Sequence, residues 1–112
     1  MLHFSHPTKI ELTAAALNTI AIRTKAMSVG LEPSVAQGLV NGAARVRRAA
    51  DMVLCGAVSD ARAVLVRDFL ATARAYRGAR RVSGPKGGES LMHQYDMLFA
   101  AVRTVRRLPR GV

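Results

Sequence analysis

This chain has one cysteine and no tryptophan. Each shortage counts against a class of protein. Cys55 is the single cysteine among 112 residues, so no internal disulfide can form and a disulfide-stapled secreted scaffold is excluded. We expect Cys55 to be a small buried apolar residue, because free cysteine is usually buried. Tryptophan is absent and aromatic residues make up only 4%, which counts against recognition of single-stranded nucleic acid by base stacking.

Acidic residues are also few, with 7 against 17 basic ones and a formal net charge of +10. The acids are dispersed, and the histidines have no carboxylate or nucleophile partner near them in the sequence, so no catalytic signature is visible. His3 and His6 lack the further ligand residues that a metal site needs. We therefore expect a protein that is not an enzyme, with no metal site and no cofactor.

Long hydrophobic runs are missing as well. The longest candidate, from Leu12 to Ile22, is interrupted by Thr13, Asn18 and Thr19 and is shorter than the roughly 20 residues that a membrane-spanning helix requires. No transmembrane span is therefore expected.

What the chain does contain is helical periodicity. Apolar residues recur at spacings of three and four in four stretches, while the strict alternation of strands is missing. The predicted fold class is all-α, a small bundle or array of about four helices over residues 9–28, 34–54, 59–80 and 90–107. We expect a single domain over 1–112, with 1–8 an irregular N-terminal segment and 83–88 a loop rich in glycine and proline.

Local signals support these boundaries. Thr8 with Glu11 has the spacing of a capping box, and Pro33 suits the first turn of a helix. Gly38 and Gly42 are spaced by four inside the second helix, which predicts close packing against a crossing helix.

The third helix is the most asymmetric. Its predicted core side consists of Leu65, Val66, Phe69, Leu70, Ala73 and Tyr76. Its arginines follow a different part of the cylinder, and more arginines crowd the end of the fourth helix. These basic residues are the predicted anion or partner contacts, namely Arg67, Arg74, Arg77, Arg81, Arg103, Arg106 and Arg107.

The leading interpretation is a non-catalytic, basic helical accessory or adaptor subunit docked on a large assembly. Its apolar surplus, 50% of residues, would be buried on other protein subunits. Its arginines would meet acidic protein, anionic lipid headgroups or RNA or DNA phosphates. By analogy with basic, cysteine-poor accessory chains, the preferred setting is a mitochondrial respiratory or ATP synthase complex, so we expect an intracellular protein, mitochondrial rather than cytoplasmic.

The alternative is a nucleic-acid-binding protein, either ribosomal-type or helix-turn-helix. A turn at Asn41-Gly42 would leave a short helix from Ala43 to Leu54. That helix would present Arg45, Arg47 and Arg48 to a major groove. In the competing interpretation, the second helix is continuous and these arginines form a solvated basic face.

Overall fold

The computed structural model describes residues 8–31, 33–83 and 89–108. Within them lie four helices, α1 (Lys9–Met27), α2 (Pro33–Leu54), α3 (Val58–Ser83) and α4 (Glu89–Arg106), and no strand. The predicted all-α class and the four helices are confirmed, with bounds within three residues of those expected. Most of the predicted segment 1–8 and loop 83–88 lies outside the described residues.

The helices form a small bundle in which each packs against its neighbours in the chain. α1 contacts α2 and α4, α3 also contacts α2 and α4, and α2 meets α4 across the middle. The start of α1 lies beside the end of α4, because Lys9, Leu12 and Arg107 line one cavity. α1 and α3 therefore occupy opposite corners of the bundle.

The core is built mainly from small side chains, which brings the helix axes close together. Leu17 of α1, Leu65 of α3 and Val105 of α4 are fully buried at its centre. The buried apolar positions of α2 recur at helical spacing: Leu39, Ala43, Val46, Ala49, Ala50 and Val53.

Two glycines of α2 lie directly against side chains of α4. A Cβ added at Gly38 would meet Nε2 of Gln94 at 2.8 Å, and one added at Gly42 would meet Cε of Met97 at 2.8 Å. The predicted role of these glycines in close packing is confirmed. Because Gly42 is buried under Met97, α2 runs through Asn41 and Gly42 without a break, and the turn predicted for the helix-turn-helix alternative is wrong.

Capping and left-handed glycines set the helix ends. The Thr8 hydroxyl accepts a hydrogen bond from the Glu11 backbone N–H at 3.1 Å, as its capping spacing predicts. Gly30 and Gly56 both have φ of +86°, a conformation that glycine adopts without the steric penalty of a side chain. They form the turns that follow α1 and α2.

Two side chains expected in the core, Cys55 and Leu70, are exposed, and so are two large apolar side chains of α1 and α4. Cys55 is exposed because it lies beyond the last residue of α2, in the turn with Gly56. Met27, in the last turn of α1, is half exposed. Leu70 and Phe99 are 48% and 46% exposed. Leu70 follows the half-buried Phe69, and one residue rotates a helix by about 100°, which carries Leu70 to the rim.

A half-buried arginine joins the end of α4 to α3. The Arg62 guanidinium donates a hydrogen bond through Nη2 to the Leu108 carbonyl at 2.9 Å. That carbonyl follows the last turn of α4, where a cation also interacts favourably with the helix dipole. The contact fixes the C-terminal end of α4 against the start of α3.

Two glycine substitutions should change stability in opposite directions. Gly78 lies inside α3 with open space around it, so Gly78→Ala should raise the free energy of unfolding by about 1 kcal/mol through helix propensity. Gly56→Ala should lower it by about 1 kcal/mol, because alanine is strained at positive φ. Urea unfolding followed by circular dichroism measures both, and equal effects of the same sign would contradict the assigned helix and turn.

Removing the Arg62 guanidinium should destabilise the fold. Arg62→Gln should lower the free energy of unfolding by about 1.5 kcal/mol or more, since hydrogen bonds to charged groups are stronger than neutral ones. Arg107→Gln is the control. It removes the same charge at an exposed residue next to Leu108. Equal unfolding midpoints for the two variants would show that the contact with Leu108 adds no stability.

Candidate functional site

Three arginines from two helices converge on one cleft. Arg45 and Arg48 of α2 and Arg67 of α3 line a space of about 220 Å³ with Ala49, Met52, Val64 and Asp68. The three guanidinium-bearing residues are exposed. Sequence reasoning had assigned Arg67 to one candidate set and Arg45 and Arg48 to another, and the structure brings them together.

One acid belongs to this cleft. Asp68 is half-buried, and its Oδ2 atom is buried without a hydrogen-bond partner. Three cations therefore face one carboxylate, and the cleft keeps a net positive charge.

The row of arginines continues along α3. Arg67, Arg74 and Arg81 are exposed and follow at steps of seven residues, which places them nearly in line at about 10.5 Å per step. The exposed residues around them are mostly polar or small and include Gln37, Asn41, Ala63, Ala71, Ala75 and Gly78. Leu70, which is 48% exposed between Arg67 and Arg74, is the apolar exception. We call this surface the α2–α3 arginine face and define it by Arg45, Arg48, Arg67, Arg74 and Arg81.

The remaining predicted arginines are Arg77, which neighbours Arg74 and Arg81 on α3, and three residues at the end of α4. Arg77 is exposed and bonds within its own helix, donating from Nε to the Ala73 carbonyl at 3.4 Å. Arg103 lies over the Phe99 ring, with its guanidinium carbon 5.8 Å from the ring centroid. Arg106 and Arg107 are exposed at the end of α4. None of these four residues lines the α2–α3 cleft.

The Phe99 ring belongs to an aromatic cluster between α3 and α4. Phe69 lies 4.9 Å from Tyr95 and 5.9 Å from Phe99 between ring centroids, and Tyr76 lies 6.0 Å from Tyr95. Such tilted pairs add stabilisation beyond simple area burial. The cluster explains how α3 and α4 pair with few large core residues.

Arg47 faces a different groove. It lines a space of about 460 Å³ between α1 and α2, whose walls also carry Lys25, Asp51 and Ile22. The three arginines of the helix-turn-helix alternative therefore lie on two flanks of α2.

The outer side of α1 also carries exposed apolar residues, which were not predicted from the sequence. Ile22 is 69% exposed, and Val29, in the turn that follows α1, is 82% exposed, while Thr13 and Thr24 are buried. Exposed residues at alternating steps of three and four make up this surface, which we call the α1 outer face: Leu12, Ala15, Thr19, Ile22, Ala26 and Val29. Its spacing was visible in the sequence as a second stripe.

Metal sites and membrane spans can be assessed over the described residues. No group of three or more His, Cys, Asp and Glu side chains is clustered among residues 8–31, 33–83 and 89–108. None of the four helices in that part of the chain has the length and hydropathy to cross a membrane.

Comparison of the chain with protein-family models, with curated proteins and with solved structures gave no match in any of the three.

Proposed function

We propose that this chain is a non-catalytic, basic helical accessory or adaptor subunit that docks on a partner protein through the α1 outer face. The observation that carries the proposal is the exposure of Ile22 on a helix whose opposite side is already buried in the core, together with Val29 in the turn that follows it. Apolar surface of this kind marks an interaction site when it is contiguous. Five of the large apolar side chains that remain exposed belong to α1 and the turn after it: Leu12, Ile22, Met27, Val29 and Leu31.

The spacing of the α1 outer face suits another helix. Alternating steps of three and four are the a and d positions of a heptad, which present a seam to a partner helix. The groove beside it is floored by Ala21, Ala43 and Ala44, and these small residues allow a helix to approach closely. Burial of a large apolar side chain contributes roughly 1.5–3 kcal/mol, so a few such contacts suffice for binding.

Charge indicates the character of the partner. Arg23 and Lys25 border the seam and Arg47 borders the groove, against Glu11 and Asp51. The excess of cations favours a partner helix with acidic residues beside its apolar positions. A second copy of this chain is disfavoured because each copy carries a net charge of +10.

The proposed setting is a large assembly inside the cell, and a mitochondrial respiratory or ATP synthase complex is the preferred one. The support is an analogy of composition, since the chain is helical, basic and poor in cysteine. In this proposal, the exposed arginines outside the α2–α3 arginine face contact acidic protein partners.

Charges introduced into the α1 outer face should abolish docking. We expect Ile22→Glu combined with Val29→Glu to lower partner affinity by more than about a hundredfold, since two apolar contacts are lost and two carboxylates are desolvated. Affinity purification of the tagged chain from its own source after nuclease treatment, with quantitative mass spectrometry, measures the retained proteins.

Leu54→Glu combined with Leu70→Glu is the matched control, because it adds the same charge at two exposed leucines outside α1. The proposal predicts that wild type and control retain the same protein partners and that the α1 variant loses them. Retention by all three, or loss of every partner on nuclease treatment, would contradict it.

A further inference from the structure

We propose that the α2–α3 arginine face binds the phosphate backbone of a nucleic-acid duplex without reading its sequence. The inference is separate from protein docking at α1. It rests on the convergence of Arg45, Arg48 and Arg67 on one cleft and on the continuation of that cleft along α3 by Arg74 and Arg81.

The side chains suit phosphate. A guanidinium presents donors in a planar fork that matches phosphate oxygens bidentately, and it stays charged at any physiological pH. Arg45, Arg48 and Arg67 extend from the interiors of two packed helices rather than from loops, so their backbone positions are fixed before binding. Asp68 offsets only part of their charge.

The surroundings distinguish nucleic acid from a lipid surface. A protein face that inserts into a membrane combines cations with large exposed apolar side chains. The large apolar side chains that the described structure exposes lie elsewhere, apart from Leu70, which is 48% exposed between Arg67 and Arg74 on α3. The other exposed residues between the arginines are Gln, Asn, Ala and Gly, which can approach a phosphate backbone without burying apolar surface.

The same composition favours a duplex over a single strand. Sequence-tolerant binding of single strands uses aromatic side chains on which bases stack, and the described aromatic cluster lies between α3 and α4, away from the cleft. A straight row of three cations spans roughly 21 Å, and a duplex offers about one phosphate charge per 1.7 Å of axis. The row therefore matches a rigid, linear polyanion.

The position of the face leaves α1 free. α3 and α1 lie at opposite corners of the bundle, and Arg47, Lys25 and Ile22 line a groove on the far flank of α2. One molecule can therefore hold a duplex on α2 and α3 and a protein on α1 at the same time.

The test is the salt dependence of binding to a fluorescent two-turn DNA duplex and to an RNA duplex of the same sequence. Five phosphate contacts predict that affinity falls roughly 500-fold between about 50 and about 200 mM salt. Replacing Arg45, Arg48 and Arg67 by Gln leaves two contacts, for which the fall should be only about tenfold. Asp68→Asn is included in this variant, so that no uncompensated carboxylate remains.

The matched control replaces Arg23, Lys25 and Arg47 by Gln, also with Asp68→Asn, and so has the same net charge. It should keep the steep salt dependence of wild type, and thermal unfolding should show that both variants remain folded. An equal loss of salt dependence in the two variants would show that only net charge determines binding, and it would overturn the proposal. Stronger binding to vesicles of phosphatidylglycerol or to inorganic phosphate than to either duplex would also overturn it.

Discussion

The contact of α2 with α4 at two glycines is the constraint on which the rest of the structure depends. Gly38 and Gly42 weaken an isolated helix, yet a Cβ at either position would meet the end of the Gln94 or Met97 side chain at 2.8 Å. Packing of these α4 side chains on the glycines offsets the local cost, and α2 is continuous through Asn41. In this continuous helix Arg45 and Arg48 line the cleft with α3, and Arg47 lines the groove with α1.

That division gives the molecule two different surfaces. On the α1 side, apolar residues with heptad spacing border a groove between two alanine-rich helices, which suits another helix. On the α3 side, arginines stand among small polar residues, which suits phosphate. The alanine-rich core contributes to both surfaces. Helices with small side chains pack closely, which leaves grooves between them and little interior volume in which to bury large side chains. The exposed Ile22 and Val29 have no remaining place inside the bundle.

Much of the fold could be predicted because helical periodicity, the Thr8 cap and the glycine turns are local signals. The core of α2 and the close packing at Gly42 follow from spacing alone. The grouping of Arg67 with Arg45 and Arg48 could not be predicted, because it depends on which flanks of two helices meet. The burial of Thr13 and Thr24 on α1 could not be predicted, because a hydropathy pattern does not weigh the bonds and packing that bury them. Thr24 donates its hydroxyl to the Ile20 carbonyl at 2.8 Å, so burial costs it little.

The separation of the two surfaces can be measured directly by nuclear magnetic resonance. Amide shifts of the ¹⁵N-labelled chain would be followed while an unlabelled DNA duplex is added at low salt. The account predicts that the amides of Arg45, Arg48, Arg67, Arg74 and Arg81 and their neighbours shift, while those of Leu12, Ile22 and Val29 do not. Shifts concentrated on α1, or spread evenly over every basic residue, would contradict a division of labour between opposite corners of the bundle.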